Sequence, residues 1–169
     1  MSQSSDRHHA EAPKSVACAV VTVSDTRTMA DDTGGATVVE LLTAAGHTVA
    51  AREITPDDPA RMRALITQFV ARPDIDAILL TGGTGLSSRD QTFETVSALL
   101  TKPLPGYGEI FRLLSYQEIG PAGMLSRALG GLFERTVVLT MPGSPNGVRL
   151  AMTKLIVPEL GHMVREARR

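Results

Sequence analysis

Two aspartates and a glycine-rich turn are the residues of this chain best suited to chemistry. Asp57 ends the sequence Thr-Pro-Asp at 55–57, and Asp90 follows shortly after a Thr-Gly-Gly-Thr-Gly turn. The residues of that turn are Thr81, Gly82, Gly83, Thr84 and Gly85. Its glycines let the backbone approach an anion closely, and its N–H groups and hydroxyls can donate to phosphate oxygens. Paired carboxylates can hold Mg²⁺ against substrate phosphates, because Mg²⁺ prefers oxygen ligands and takes few from protein. The pattern therefore predicts phosphoryl or nucleotidyl transfer, with Asp57 and Asp90 as catalytic, Mg²⁺-holding residues.

Each of these residues, taken alone, also fits an ordinary structural role. Asp57 or Asp58 can cap a helix that begins at Pro59, and Asp90 can cap the next helix near Gln91. A glycine-rich turn can also exist without a ligand. This one matches neither the P-loop pattern nor the dinucleotide-binding glycine pattern. Only the combination of the turn with both aspartates favours a catalytic site.

Two further segments carry groups that can bind an anion. Pro142, Gly143 and Ser144 follow an apolar run and precede a helical pattern, where free N–H groups attract anions. Ser144 can equally be the N-cap of that helix, and the two roles are compatible. Ser126 supplies a hydroxyl, and Arg127 a guanidinium that can pair with phosphate or form a surface salt bridge.

The hydrophobic pattern predicts the elements that position these groups. Strands are expected at 16–23, 47–54, 75–80 and 136–140, and helices at about 36–45, 59–72, 93–100, 108–116 and from 146 onward. Pro158 should kink or split the last helix. This alternation predicts right-handed crossovers and a parallel sheet. The polar loops at 24–35, 55–58, 81–92 and 141–145 should then meet at the carboxyl edge of the sheet, where ligands bind.

Length and charge limit the class of protein. The chain has 169 residues, 17 Lys plus Arg and 18 Asp plus Glu, giving a net charge of −1. We expect a polar, disordered tail at 1–14 and one domain at 15–169. Neutral charge and few aromatic residues argue against nucleic-acid binding. With no long apolar run and no hydrophobic leader, we expect a cytoplasmic protein without a membrane span.

The one cysteine, Cys18, lies in an apolar run and is expected in the core.

Eight short motifs occur in a fixed order along the chain. They are Val23-Ser-Asp25, Asp32-Thr-Gly34, Thr55-Pro-Asp57, Thr81-Gly-Gly-Thr-Gly-Leu86, Arg89-Asp90-Gln-Thr92, Pro105-Gly-Tyr-Gly-Glu109, Leu125-Ser-Arg127 and Met141-Pro-Gly-Ser144. Together they resemble the MoaB/Mog family of molybdenum cofactor biosynthesis proteins, over nearly the whole chain except the tail. The segment from Gly108 to Gly120 is most similar to the MoaB branch.

The resemblance implies a fold and an activity. The fold is a molybdopterin-binding, three-layer α/β/α domain with a mostly parallel central sheet, which assembles as a homotrimer or homohexamer. Catalytic members of the family adenylylate molybdopterin: its terminal phosphate attacks the α-phosphorus of Mg·ATP, pyrophosphate leaves, and the adenylylated product passes to a molybdenum-insertion protein. The partners implied are therefore molybdopterin and ATP, with Mg²⁺ as cofactor.

The resemblance also assigns roles to residues of this chain. Asp57 and Asp90 match the catalytic, Mg²⁺-associated aspartates, and Ser126 matches a serine of the pterin site. The substrate- and phosphate-binding set is Ser24, Asp25, Thr81, Gly82, Gly83, Thr84, Gly85, Ser126, Arg127, Pro142, Gly143 and Ser144. An alternative is a non-catalytic module that binds molybdopterin or a nucleotide in the same pathway.

Self-association has a separate, indirect indication in the sequence. Phe111, Leu113, Leu114 and Tyr116 crowd a short segment that a small monomer would not bury completely.

Overall fold

One six-stranded sheet organises the residues that the computed structural model describes, which are 12–169. The strands are β1 (Ala17–Val23), β2 (Thr48–Thr55), β3 (Ala77–Thr81), β4 (Lys102–Pro103), β5 (Gly130–Phe133) and β6 (Thr136–Met141). Their order across the sheet is β2-β1-β3-β6-β5-β4. The first four strands in this order run parallel, and β5 and β4 add an antiparallel edge. The expected tail at 1–14 falls almost entirely outside the described residues.

Helices cover both faces of this sheet and complete a three-layer fold. They are α1 (Thr33–Ala44), α2 (Pro59–Val70), α3 (Thr92–Leu99), α4 (Pro105–Ile119), α5 (Pro145–Ala151) and α6 (Val157–Ala167), with a 3-10 helix at Gly120–Leu125. Side chains of the central strands alternate between two cores. Cys18 and Val20 pack with α1, α4, α5 and α6, whereas Ala19 and Val21 pack with α2 and α3. The predicted three-layer, mostly parallel α/β fold is confirmed.

The start of α2 agrees with the predicted capping, whereas α1 starts earlier than predicted. The carboxylate of Asp58 accepts from Arg61 N at 2.8 Å, with Pro59 in the first turn of α2, as predicted. The loop predicted at 24–35 is shorter than expected, because α1 already begins at Thr33. Asp32 explains the early start: its carboxylate accepts from Gly35 N at 2.9 Å and caps the helix.

The last helical segment shows the disturbance expected from Pro158. Residues Met152–Ile156 form a π-helical turn between α5 and α6. Proline has no N–H to donate to the preceding turn, and a π turn is a common way to accommodate such a break.

Two strands were not predicted. The pattern indicated four strands, whereas β4 and β5 complete a sheet of six. Their sequences, Lys-Pro and Gly-Gly-Leu-Phe, carry no alternating pattern, so only pairing with each other and with β6 makes them strands.

Cys18 lies in the core as expected. Burial, helped by the negative charge of Asp76, raises the pKa of the Cys18 thiol to about 12. The group is therefore an unreactive core residue. Within residues 12–169, no helix is long and apolar enough to cross a membrane.

Candidate active site

The loops that carry the predicted site residues meet at one edge of the sheet. β2, β1, β3 and β6 are adjacent and parallel, so their carboxyl ends lie side by side. Backbone hydrogen bonds continue past the strand ends, from Ser24 N to Thr55 O at 2.9 Å and from Gly82 N to Met141 O at 3.1 Å. The sheet extends from β1 in opposite directions to β2 and β3, which makes this edge a topological switch point. The predicted meeting of the four loops is confirmed.

The glycine turn after β3 requires glycine for two separate reasons. Gly82 and Gly83 have φ values of 100° and 64°, in the left-handed region that other residues rarely adopt. In addition, a Cβ at Gly82 would overlap the carbonyl oxygen of Val23, the last residue of β1. The turn is therefore held tightly against the end of the neighbouring strand.

Each aspartate packs against a different glycine of this turn. Asp57 Oδ2 lies 2.7 Å from where a Cβ of Gly83 would be, and Asp90 Oδ2 lies 2.8 Å from the corresponding position at Gly85. Contacts this short leave no room for a Cβ unless the carboxylate moves. The missing side chains of the turn therefore make the space that Asp57 and Asp90 occupy.

Neither of these aspartates has the capping role that was its structural alternative. Asp58 caps α2, so Asp57 is not needed there. Asp57 instead accepts from Gln91 N at 2.9 Å, across the loop. Asp90 accepts from Ser87 N at 2.9 Å, and Gln91, at the start of α3, makes no side-chain capping bond. Both carboxylates keep oxygen lone pairs for another partner.

Asp57 is partly buried and has other negative groups close to it. Burial, together with the charges of Asp90 and Asp25, raises the pKa of Asp57 above its usual range. Asp25 behaves oppositely, because a hydrogen bond from Asp57 N and an ion pair with Arg89 lower its pKa. A raised carboxylate pKa beside like charges is typical of a functional site and marks a place where a cation would relieve repulsion.

A cleft of about 760 Å³ opens on one side of the glycine turn. The turn and Asp90 form one wall, Pro142–Gly147 another, and α4 with the 3-10 helix the third. Of the predicted residues, those lining it are Gly82, Gly83, Thr84, Gly85, Asp90, Ser126, Pro142, Gly143 and Ser144. The volume falls in the usual range for small-molecule sites.

A second hollow, of about 630 Å³, opens on the Asp57 side. Asp25, Asp57, Arg61 and Arg89 contribute to its lining, so positive and negative side chains face one another there. The two predicted catalytic aspartates thus line different hollows, with the glycine turn between them.

Three predicted residues already have partners inside the protein. Thr81 is buried and its hydroxyl donates to Pro142 O at 2.9 Å, so it ties two loops together and is not turned toward the cleft. The Ser24 hydroxyl accepts from Thr26 N and Arg27 N in its own loop. The guanidinium of Arg127 contacts Gly85, Asp90 and Glu94 and is not part of the cleft lining.

Three predicted residues that carry a hydroxyl line the cleft, and they are Thr84, Ser126 and Ser144. Ser126 lines it, and its Oγ accepts weakly from Ala128 N at 3.4 Å. Ser144 lines it and also caps α5, accepting from Gly147 N at 3.2 Å. Capping and ligand binding at Ser144 are therefore compatible, as expected.

The sequence did not indicate the residues that α4 and its continuation contribute. These cleft residues are Phe111, Ser115, Glu118, Ile119, Ala122 and Gly123, beside Leu125 of the motif at 125–127. Their pattern is an ordinary amphipathic helix, and no signal in it marks the side that faces the cleft. Asn146 also lines the cleft. The sequence does carry a signal for this residue, because it directly follows the predicted loop at 141–145.

The acidic groups permit a metal only if a substrate supplies further ligands. Within residues 12–169 there is no group of three or more His, Cys, Asp or Glu side chains placed to hold a metal ion. Two carboxylates, Asp57 and Asp90, are near one another, since the charge of Asp90 contributes to the raised pKa of Asp57. That number fits Mg²⁺, which is commonly held by one or two carboxylates together with substrate phosphates and water.

Comparison with known proteins matches this fold and these loops. A family model described as a probable molybdopterin binding domain matches residues 19–162. The chain is 50% identical over 162 residues to molybdenum cofactor biosynthesis protein B of Halalkalibacterium halodurans, covering 95% of each chain. A crystal structure of a molybdenum cofactor biosynthesis protein B superimposes with a TM-score of 0.91 at 51% identity, covering 94% of this chain and 99% of that one.

A more distant relative has the same architecture. The tungsten cofactor synthesizing protein MoaB from Pyrococcus furiosus superimposes with a TM-score of 0.81 at 36% identity, covering 94% of this chain and all of that one. The predicted resemblance is therefore confirmed, and this chain belongs to the MoaB/Mog family of molybdenum cofactor biosynthesis proteins, with the proteins named MoaB among its relatives.

Proposed function

We propose that this protein adenylylates molybdopterin with ATP in a Mg²⁺-dependent reaction in the cytoplasm. Membership of the family supports a role in molybdenum cofactor biosynthesis. The observation that carries the finer proposal is the packing of Asp57 and Asp90 against Gly83 and Gly85 of one turn. Neither aspartate caps a helix, and the hydrogen bond that Asp57 accepts comes from Gln91 N in a different loop.

The reaction is a transfer of one nucleotidyl group. An oxygen of the terminal phosphate of molybdopterin attacks the α-phosphorus of ATP. The bond from that phosphorus to the oxygen bridging to the β-phosphate breaks, and pyrophosphate leaves. The adenylylated pterin would then pass to a protein that inserts molybdenum.

The two hollows suit the two substrates. Apolar side chains of the cleft, including the exposed Leu125, can cover a flat pterin ring, while Ser126 and Thr84 offer hydroxyls to its phosphate. On the other side of the turn, Arg61 and Arg89 offer positive charge, so we place the phosphates of ATP there. The reacting groups would then meet beside the glycine turn.

The chain's own contribution to this chemistry is positioning and charge. Asp57 and Asp90 would hold Mg²⁺, which supplies neutralisation of the negative charge on the phosphate oxygens. The N–H groups of the turn and the hydroxyl of Thr84 would orient phosphate oxygens. Nucleotidyl transfer needs such orientation and charge stabilisation more than a covalent nucleophile on the protein.

A direct assay tests the activity. Incubation of the purified protein with molybdopterin, ATP and Mg²⁺ should release pyrophosphate and form adenylylated molybdopterin in equal amounts, detectable by chromatography with mass analysis. Replacing Mg²⁺ by a chelator should stop both. Binding of molybdopterin without any adenylylated product would contradict the proposal and support a non-catalytic binding module.

We also propose that the protein assembles as a homotrimer or homohexamer through α4. Of the four crowded apolar residues at 111–116, Phe111 is buried and Leu114 is partly buried. Leu113 and Tyr116 are exposed. Around them lie further exposed apolar side chains, and we call the set the α4 patch: Ile110, Leu113, Tyr116, Ile119, Met124 and Leu125. These side chains all lie on α4 and the 3-10 helix that follows it, and a concentration of exposed apolar side chains is typical of an interface.

Light scattering should therefore give a mass of three or six times the 18.0 kDa chain. Leu113→Glu places a charge in the α4 patch and should reduce this mass to that of one chain. Met29→Glu is the matched control, because Met29 is also about half exposed but lies in the loop after β1. A monomeric wild-type protein would contradict this proposal.

A further inference from the structure

Arg127 joins the loop that carries Asp90 to a different part of the chain. Its Nε donates to Gly85 O at 2.9 Å and its Nη2 to Asp90 O at 3.0 Å, while Nη1 pairs with the carboxylate of Glu94. Its backbone N–H donates to Thr84 O at 3.3 Å. One residue thus binds both ends of the loop between the glycine turn and α3.

That loop has few other contacts to the rest of the protein: Arg89 pairs with Asp25, and Gln91 N donates to Asp57 at 2.9 Å. Leu86, Ser87, Ser88 and Arg89 are all exposed, so the loop contributes no side chain from this stretch to either core. Among residues 12–169, the carboxylate of Asp90 accepts from Ser87 N alone, which belongs to the same loop. The position of Asp90 relative to the rest of the site therefore depends largely on the contacts made to the backbone at the two ends of the loop.

The shape of the guanidinium suits this task. Its donors form a planar fork, and here that fork spans two carbonyl oxygens and one carboxylate at the same time. The group also lies 5.3 Å from the ring centre of Phe93, the second residue of α3. A lysine at this position would keep the charge but could not reproduce the arrangement of donors.

We propose that Arg127 is a positioning residue that holds Asp90 against Gly85, and does not itself contact phosphate. Glu94 is its counterpart, since it fixes one arm of the fork and neutralises its charge. This inference rests on the proposed function only for its kinetic consequence. The geometry it predicts, a loop at 84–91 ordered by Arg127, is independent of any substrate.

Two measurements on Arg127→Lys test the inference. Hydrogen exchange of the backbone amides at 84–91, measured without substrates, should become faster. In the adenylylation assay kcat should fall roughly 10- to 100-fold, because a misplaced catalytic group costs that much, while the KM for molybdopterin changes little. The Mg²⁺ concentration giving half-maximal rate should rise, since Asp90 would be less well aligned.

Arg112→Lys is the matched control. Arg112 donates to Ala128 O at 3.3 Å, beside Arg127, and in the described part of the chain it makes no hydrogen bond to the loop at 84–91. It should leave both exchange and kcat unchanged. If Arg127→Lys proves poorly folded, Glu94→Gln serves in its place, since Glu94 is half exposed and the change should give smaller shifts in the same direction.

The outcomes separate this inference from the proposed function. A wild-type protein without turnover would remove the proposed function, and the exchange measurement would still decide the role of Arg127. Unchanged exchange at 84–91 in Arg127→Lys would overturn the inference. A raised KM for molybdopterin with unchanged kcat would also overturn it, because that result indicates a direct contact with substrate.

Discussion

Asp57→Asn is expected to lower the rate of molybdopterin adenylylation roughly 100- to 1000-fold, the usual loss when one preorganised electrostatic group is removed. Asp90→Asn should behave similarly. Asn is nearly isosteric, and at Asp57 its side-chain oxygen can still accept from Gln91 N, so the loop should keep its shape. Affinity for molybdopterin should change far less than turnover, which titration calorimetry beside steady-state kinetics would show.

Asp58→Asn is the matched control for this prediction. Asp58 is the next residue in the chain, but its carboxylate caps α2 by accepting from Arg61 N. Asn is as good an N-cap as Asp, so stability should be retained, and turnover should fall far less than in Asp57→Asn although Asp58 also lines the hollow on that side. Equal losses of binding and turnover in Asp57→Asn and Asp90→Asn would instead indicate that these carboxylates only maintain structure.

The raised pKa of Asp57 gives the same substitution a signature in stability. The pKa of Asp57 is higher in the folded state than in the unfolded state. Protonated Asp57 therefore stabilises the fold relative to ionised Asp57, and this stabilisation is complete below the unfolded-state pKa. It is lost as the pH rises through the folded-state pKa. Ionised Asp57 therefore opposes folding at neutral pH. Asp57→Asn should raise the Tm at pH 7, and the difference should shrink as the pH falls into the range where Asp57 protonates.

Mg²⁺ provides a readout of the same site without any substrate. A cation bound at Asp57 and Asp90 would relieve the repulsion among the neighbouring carboxylates, so it should raise the Tm of the wild-type protein. The Tm of Asp57→Asn should respond much less. An equal response in both proteins would place Mg²⁺ elsewhere.

The edge of the sheet could be predicted from sequence because its causes are local. The run at 16–23 is apolar throughout, as a strand covered on both faces must be, and the stripe after Pro59 has helical spacing. Polar residues directly after each such run then have to lie at the carboxyl edge. This reasoning predicts that Asp25, Asp57 and Ser144 lie at one edge of the sheet, as they do.

What the sequence could not predict depends on partners far away in the chain. Thr81 has the composition of a phosphate donor, yet its hydroxyl is used by Pro142 O, sixty-one residues later. Arg127 has a guanidinium suited to phosphate, yet it serves the loop at 84–90. β5 is a strand only because β6 lies beside it. In each case the residue type sets what is possible, and the tertiary partner decides which possibility is used.

Gly82→Ala is expected to destabilise the fold by about 3 kcal/mol, the sum of a positive φ at a non-glycine residue and a collision with backbone that cannot rotate away. The new Cβ would meet the carbonyl of Val23, so either β1 or the turn has to move. For a chain of this size the Tm should fall by about 6–12 °C. Turnover should be lost as well, because Gly83 and Gly85, which make room for the two aspartates, would move with the turn.

Gly106→Ala is the control that separates this effect from the general replacement of glycine. Gly106 lies in the first turn of α4, its φ is not positive, and nothing lies within 4 Å of where its Cβ would be. Alanine is the better helix former, so this variant should unfold at the same or a slightly higher temperature and keep its activity. Thermal unfolding of both variants, followed by circular dichroism, checks the pair. A Gly82→Ala protein as stable as Gly106→Ala would mean that the end of β1 and the glycine turn are not held in contact. Asp57 and Asp90 would then not be held in place by packing against that turn.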